Sequence, residues 1–170
     1  MDPLSLPINM TVGWILCDAQ RTDEGIDQLR KTLEMDPAFM VAHIRLGYCY
    51  ERKGAYDGAI AEFQRVFDLG AKSLGTAGLG RAYAMAGKRN EAQKKLAELQ
   101  ELSKQRYVPP DLFALIYAAL GDKDQAFAWL DKSVADHDLI TARLKVDARF
   151  DPLRSDPRFA ELVKRVGLSP

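Results

Sequence analysis

Apolar residues return along this chain at helical spacing, in blocks separated by short polar turns. In the last block Phe159, Leu162, Val163 and Val166 recur at i, i+3, i+4 and i+7, which is one face of a helix. Ser155-Asp156-Pro157 supplies an N-cap with proline at a first helical position, and Gly167 follows as a stop. Upstream, the blocks predict four pairs of helices, near residues 6–19 and 22–35, 38–53 and 56–69, 73–86 and 89–105, and 110–120 and 123–135. Pro109-Pro110-Asp111 marks the start of the seventh helix, since proline is tolerated in a first turn. The segment Leu102 to Val108 either lengthens the sixth helix or ends it in a loop.

The pairs are copies of one another. Leu46-Gly47-Tyr48-Cys49-Tyr50 leads to Gly54, Ala59 and Phe63, and Leu79-Gly80-Arg81-Ala82-Tyr83 leads to Gly87, Ala92 and Leu96. Phe113-Ala114 and Tyr117 lead to Gly121, Ala126 and Leu130, while Val12-Gly13 and Leu16 lead to Gly25 and Leu29. The offsets between copies are 34, 33 and 34 residues. With copies numbered from Leu6, Met40, Ser73 and Tyr107, position 8 is Gly13, Gly47, Gly80 or Ala114, and position 20 is Gly25, Ala59, Ala92 or Ala126. Small residues at both positions let the two helices of a copy cross closely, and large apolar residues at positions 7, 11 and 24 fill the surrounding space. Position 15 is Gly54, Gly87 or Gly121, which suits a left-handed C-cap; Gln20 stands there in the first copy, so the first turn is expected to differ in shape.

This pattern resembles the tetratricopeptide repeat, a helix–turn–helix unit of 34 residues, over roughly residues 6–138. The resemblance implies an all-α solenoid, four helix-turn-helix hairpins in a right-handed superhelix plus a C-terminal capping helix. The expected divisions are repeats at 6–39, 40–72, 73–106 and 107–138, followed by a connection and capping helix at 139–170. Asp2-Pro3 lies 34 residues before Asp36-Pro37, so residues 1–5 read as the stub of a preceding repeat and the chain as the C-terminal piece of a longer protein. Such a stub leaves Val12, Ile15 and Leu16 of the first helix partly exposed. The wording of Tyr107 to Phe127 and of Leu144 to Phe159 is similar to the tetratricopeptide C-termini of bacterial multidomain signalling proteins. In those proteins the repeats follow a winged-helix, Ser/Thr kinase or cyclase domain, which implies a sensor or scaffold role.

Composition narrows the function further. With 24 basic and 24 acidic residues the net charge is zero, so a broad electrostatic grip on nucleic acid or anionic lipid is not expected. The longest apolar stretch, Leu112 to Leu120, is too short to cross a membrane, and residues 1–20 show no signal-peptide pattern. Cys17 and Cys49 are expected to be two small apolar residues on helices, a number that fits a reducing compartment. The cytoplasm is the expected location, with the periplasm as the alternative if a membrane segment precedes the chain.

No catalytic constellation stands out, and no enzyme activity, cofactor or metal is expected. His43 reads as a core or interface histidine, and Asp136-His137-Asp138 as a polar helix end rather than a metal site. Gly75, Gly78 and Gly80 lack the preceding strand that a nucleotide loop needs. The acids and bases interleaved from Asp147 to Arg154 read as a solvated face.

The candidate site is the groove that the family lines with its first helices. Position 9 gives Trp14, Tyr48, Arg81 and Leu115, with Met10, Ile44, Glu51 and Met85 nearby. Aromatic, Arg and Met side chains are enriched at binding surfaces, and Arg81 is not expected in a core. The resemblance therefore implies a protein or peptide partner, a peptide or helix held in the groove, with a homodimer through the first helix, or a small-ligand sensor or regulatory half of a linked effector domain, as alternatives. Relatives that grip a C-terminal carboxylate use five Lys, Asn and Arg residues; the matching slots here hold Met10, Trp14, Arg45, Leu74 and Gly78, so an acidic peptide terminus is not the expected ligand.

Overall fold

The computed structural model describes residues 5–136 and 144–167. Eight helices come in four hairpins: α1 (Leu6–Asp18) and α2 (Thr22–Met35), α3 (Met40–Lys53) and α4 (Tyr56–Asp68), α5 (Lys72–Met85) and α6 (Arg89–Gln105), α7 (Pro110–Leu120) and α8 (Lys123–Ala135). A 3₁₀ turn (Ala148–Leu153) and α9 (Pro157–Arg165) follow. Among the described residues there is no strand. Each helix packs on its sequence neighbours from α1 to α8, and α1, α3, α5 and α7 also pack on one another in order. That is the arrangement of a tetratricopeptide-repeat solenoid, in which each unit buries its apolar face on the next. The sixth helix is the longest, with 17 residues, and it also gives way to a short loop before Pro110. The stub proposed for residues 1–5 falls almost wholly outside the described residues.

The helices meet where the sequence places its smallest residues. A Cβ on Gly13 would lie 3.1 Å from the Gly25 carbonyl oxygen and 2.7 Å from Leu29, so α1 and α2 touch backbone to backbone. Gly47 faces the Phe63 ring in the same way, at 2.8 Å. Gly75 and Gly78 are explained by packing alone: the first abuts the Phe67 backbone at 2.6 Å and the second the Phe63 ring at 2.3 Å, both on α4.

The turns reverse by one device. Gly54 has φ +75° and Gly121 φ +79°, and in each turn this residue and the one after it donate backbone hydrogen bonds into the last turn of the preceding helix. Gln20 adopts φ +63° with the matching pair, Gln20 N to Cys17 O at 3.1 Å and Arg21 N to Leu16 O at 2.9 Å. The first turn therefore has the same shape as the others, contrary to the expectation from its missing glycine. The packing of the hairpin overrides the steric cost of a side chain in the left-handed region.

The far end is closed. Phe159, Leu162 and Val163 of α9 join Phe127 and Leu130 of α8 and Ala114 and Ala118 of α7 in one buried cluster. The Asp156 side chain caps α9 by accepting from Arg158 N at 3.1 Å. Arg158 pairs with Asp124 at 2.8 Å and Arg165 with Asp131 at 2.6 Å, so α9 stands on the fourth hairpin where the next repeat would begin. At the opposite end, Ile8, Val12 and Ile15 of α1 form an exposed apolar stripe among the described residues, with Ile15 59% exposed.

Cys17 and Cys49 correct the sequence reading. They are joined in a disulfide, with Cα atoms 5.8 Å apart, and both are buried among Ile26, Leu29, Ala42 and Leu46. The bridge ties α1 to α3 across a sequence separation of 32 residues. A loop of that size implies stabilisation of roughly 3–4 kcal/mol. The unreduced chain is expected to release no thiol to a titrating reagent even when unfolded, and Cys17→Ala with Cys49→Ala to lower the unfolding free energy by roughly that amount. Two reactive thiols in the unfolded, unreduced chain would remove the bridge.

Candidate functional site

The face made by α1, α3 and α5 carries a cavity of about 500 Å³. Trp14 and Asp18 of α1, Tyr48, Glu51 and Arg52 of α3, and Arg81 and Met85 of α5 form one wall. Val146, Asp147, Arg149 and Asp151 form the other. The second wall comes from the segment after the repeats, so the inner face of the solenoid is partly roofed by its own chain.

Five of the eight candidate groove residues meet here: Trp14, Tyr48, Glu51, Arg81 and Met85. The other three do not line the cavity. Met10 packs against the core around the disulfide, Ile44 is half-buried on α3, and Leu115 is 2% exposed beneath the roofing segment.

Glu51 and Arg81 are the most buried charges of the cavity wall, at 3% and 9% exposure. Arg81 Nη1 donates to Glu51 Oε2. Burial pushes the Arg81 pKa down to about 10, so it stays charged at neutral pH. Among the described residues, Arg81 Nε and Glu51 Oε1 have no hydrogen-bond partner. The expectation that Arg81 stays out of the core is thus corrected, because a carboxylate one repeat earlier compensates its charge. Arg81→Ala would strand Glu51 at a cost of roughly 3–5 kcal/mol, so it reports on folding before it reports on binding.

The other charges of the cavity also pair within the chain. Arg52 lies 3.7 Å from Asp18, and Arg149 lies 2.6 Å from Asp147. Trp14 lies under the Arg45 guanidinium at 3.5 Å. The aromatic surfaces and the rims of these ion pairs are therefore what the cavity offers to a ligand.

The sequence reading of Asp147 to Arg154 as a solvated face is corrected at Arg149. This side chain is mostly buried and donates from Nη1 to the Tyr48 hydroxyl at 2.8 Å, with its guanidinium 4.8 Å from the Tyr48 ring centre. Burial opposes its charge, but Tyr48, Asp147 and Asp111 outweigh it and hold its pKa above the usual arginine value. No local pattern could have shown this contact, since the partners are 101 residues apart.

His43 is buried, as expected, and lies outside the cavity. Its Nδ1 is 2.6 Å from Glu62 Oε2 and its Nε2 is 3.0 Å from the Pro37 carbonyl. The Glu62 hydrogen bond, acting against burial, raises its pKa. His137 and Asp138 lie outside the described residues. Among the described residues no three His, Cys, Asp or Glu side chains are grouped to hold a metal ion, and no helix is long and apolar enough to cross a membrane.

Compared with known families, residues 13–73 match the tetratricopeptide repeat. No curated protein matches the chain. The family match runs from the middle of α1 to the start of α5, and α5 to α8 continue the same architecture; the fold of the chain is a tetratricopeptide-repeat solenoid.

Proposed function

We propose that the chain is a non-catalytic protein-interaction module that holds a peptide or helix of a partner on the inner face of the solenoid. The observation that carries this reading is the cavity between Trp14, Tyr48, Arg52 and Met85. Its aromatic, arginine and methionine lining is the chemistry of binding surfaces, and its charges are already paired rather than poised to react. The wording of the fourth repeat and tail supports a place as the C-terminal sensor or scaffold part of a larger bacterial signalling protein. The Cys17–Cys49 bridge supports an oxidising compartment, so the periplasm is preferred over the cytoplasm expected from the cysteine count. A paired pull-down from lysate of the source organism tests the binding reading. A partner held by the native chain and lost with Trp14→Ala and Arg52→Ala, at unchanged helicity, is the expected result; equal retention by both baits would contradict it.

A second reading rests on the stripe of Ile8, Val12 and Ile15 on α1. An uncovered apolar stripe at the end of a solenoid is a surface on which a second copy can stack. Light scattering over a concentration series would then show a dimer that Ile15→Lys dissolves, and a strict monomer would rule this reading out.

A further inference from the structure

The segment that roofs the cavity is shaped before it docks. The Asp147 carboxylate accepts from Arg149 N at 3.0 Å and from Arg149 Nε at 2.9 Å, which caps the 3₁₀ turn and fixes the guanidinium in one orientation. Arg154 folds back on the same turn, donating to the Lys145 carbonyl at 2.6 Å and to the Asp147 carbonyl at 3.2 Å. The ordered turn then presents two kinds of group to the inner face. Arg149 reaches the Tyr48 hydroxyl and ring on α3. Phe150 and Leu153, both fully buried, enter the core cluster in which Leu115 and Ala118 of α7 meet Phe127 and Leu130 of α8 and Phe159 and Leu162 of α9. The turn thus spans position 9 of the second repeat and position 9 of the fourth, two rungs of the ladder along which a peptide would lie.

We propose that the inner face from Tyr48 to Leu115 is a receptor for an arginine–aromatic peptide segment, and that the chain's own Asp147–Leu153 turn occupies it as an intramolecular ligand. The proposal rests on the inner face being the binding surface. It adds the chemistry of the partner and a means of regulation. A partner carrying an arginine followed by an aromatic residue competes with the turn for Tyr48 and for the apolar space that Phe150 and Leu153 fill beside Leu115. A partner without that pair leaves the turn in place. The exchange must replace one hydrogen bond, one cation–ring contact and two fully buried apolar side chains, so a competitor needs both the arginine and the aromatic residue to displace the turn. Linkage within one chain raises the effective concentration of the turn and so suppresses weak competitors.

The test uses the full chain and a fluorescein-labelled peptide with the sequence of residues 145–154. Anisotropy is read for the native chain and for the Arg149→Ala, Phe150→Ala double variant, in which the internal turn is weakened. The expected result is binding to the variant about tenfold or more tighter than to the native chain, since tethered competition is reduced. A peptide carrying Arg149→Ala, or a variant also carrying Tyr48→Phe, should lose most of that binding. Equal binding to both chains, or no binding to a variant that still melts cooperatively, overturns the proposal. If the double variant does not fold, Arg149→Ala alone, which leaves Phe150 in the core, takes its place: tighter binding of the peptide than by the native chain supports the proposal, and equal binding overturns it. The peptide needs no natural partner, so failure to capture a protein from lysate and failure of this proposal are separate results.

Discussion

The close crossing of the two helices in each hairpin is the constraint on which the rest of the structure depends. Gly13 and Gly25 let α1 and α2 meet at backbone distance, and Gly47 admits the Phe63 ring against α3. A larger side chain at these points would push the hairpins open and shift every helix stacked beyond them. The disulfide depends on the same economy of space. A Cβ on Gly25 would lie 2.4 Å from the Cys17 sulfur, so the glycine that allows the crossing also leaves room for the bridge to α3.

Once the hairpins stack, their first helices come side by side, and side chains of one repeat meet those of the next. Cys17 meets Cys49, Asp18 lies by Arg52, and Glu51 meets Arg81. The disulfide joins α1 to α3 within the core, and the two ion pairs along the inner face join α1, α3 and α5 into one surface. They also neutralise it, so its remaining attraction for a ligand lies in aromatic and apolar area. Arg149 uses that surface by stacking on Tyr48, while Phe150 and Leu153 complete the core that α9 begins. The C-terminal segment therefore both caps the solenoid and narrows its groove.

The helices were legible in the sequence because their signals are local. The apolar spacing of Phe159, Leu162 and Val163, the proline at α9's first turn and the glycines of the reversals each act within a few residues. What the sequence hid depends on neighbouring repeats. Reading each position as equivalent from copy to copy placed Glu51 and Arg81 in the groove as separate candidates, whereas contact runs from late positions of one repeat to earlier ones of the next. Cys17 likewise meets Cys49 from a later position of its own repeat to an earlier one of the next, at a separation of 32 residues that is not the repeat period. Gln20 misled in the opposite sense: its side chain suggested a different turn, but hairpin packing imposes the shared one. Arg149 carried no signal at all, since nothing in the charge pattern of its own segment distinguishes the one arginine that leaves solvent.

The claim that the chain's own turn docks on the inner face is tested most directly by amide hydrogen exchange on the intact protein, native and Arg149→Ala. The account predicts protection of residues 148–153 and of the α3 amides around Tyr48 in the native chain. Both should lose protection together in the variant, by about tenfold, the scale of one hydrogen bond to a charged group, while α4 stays protected. Exchange of residues 148–153 at the rate of an unstructured peptide in the native chain would contradict it.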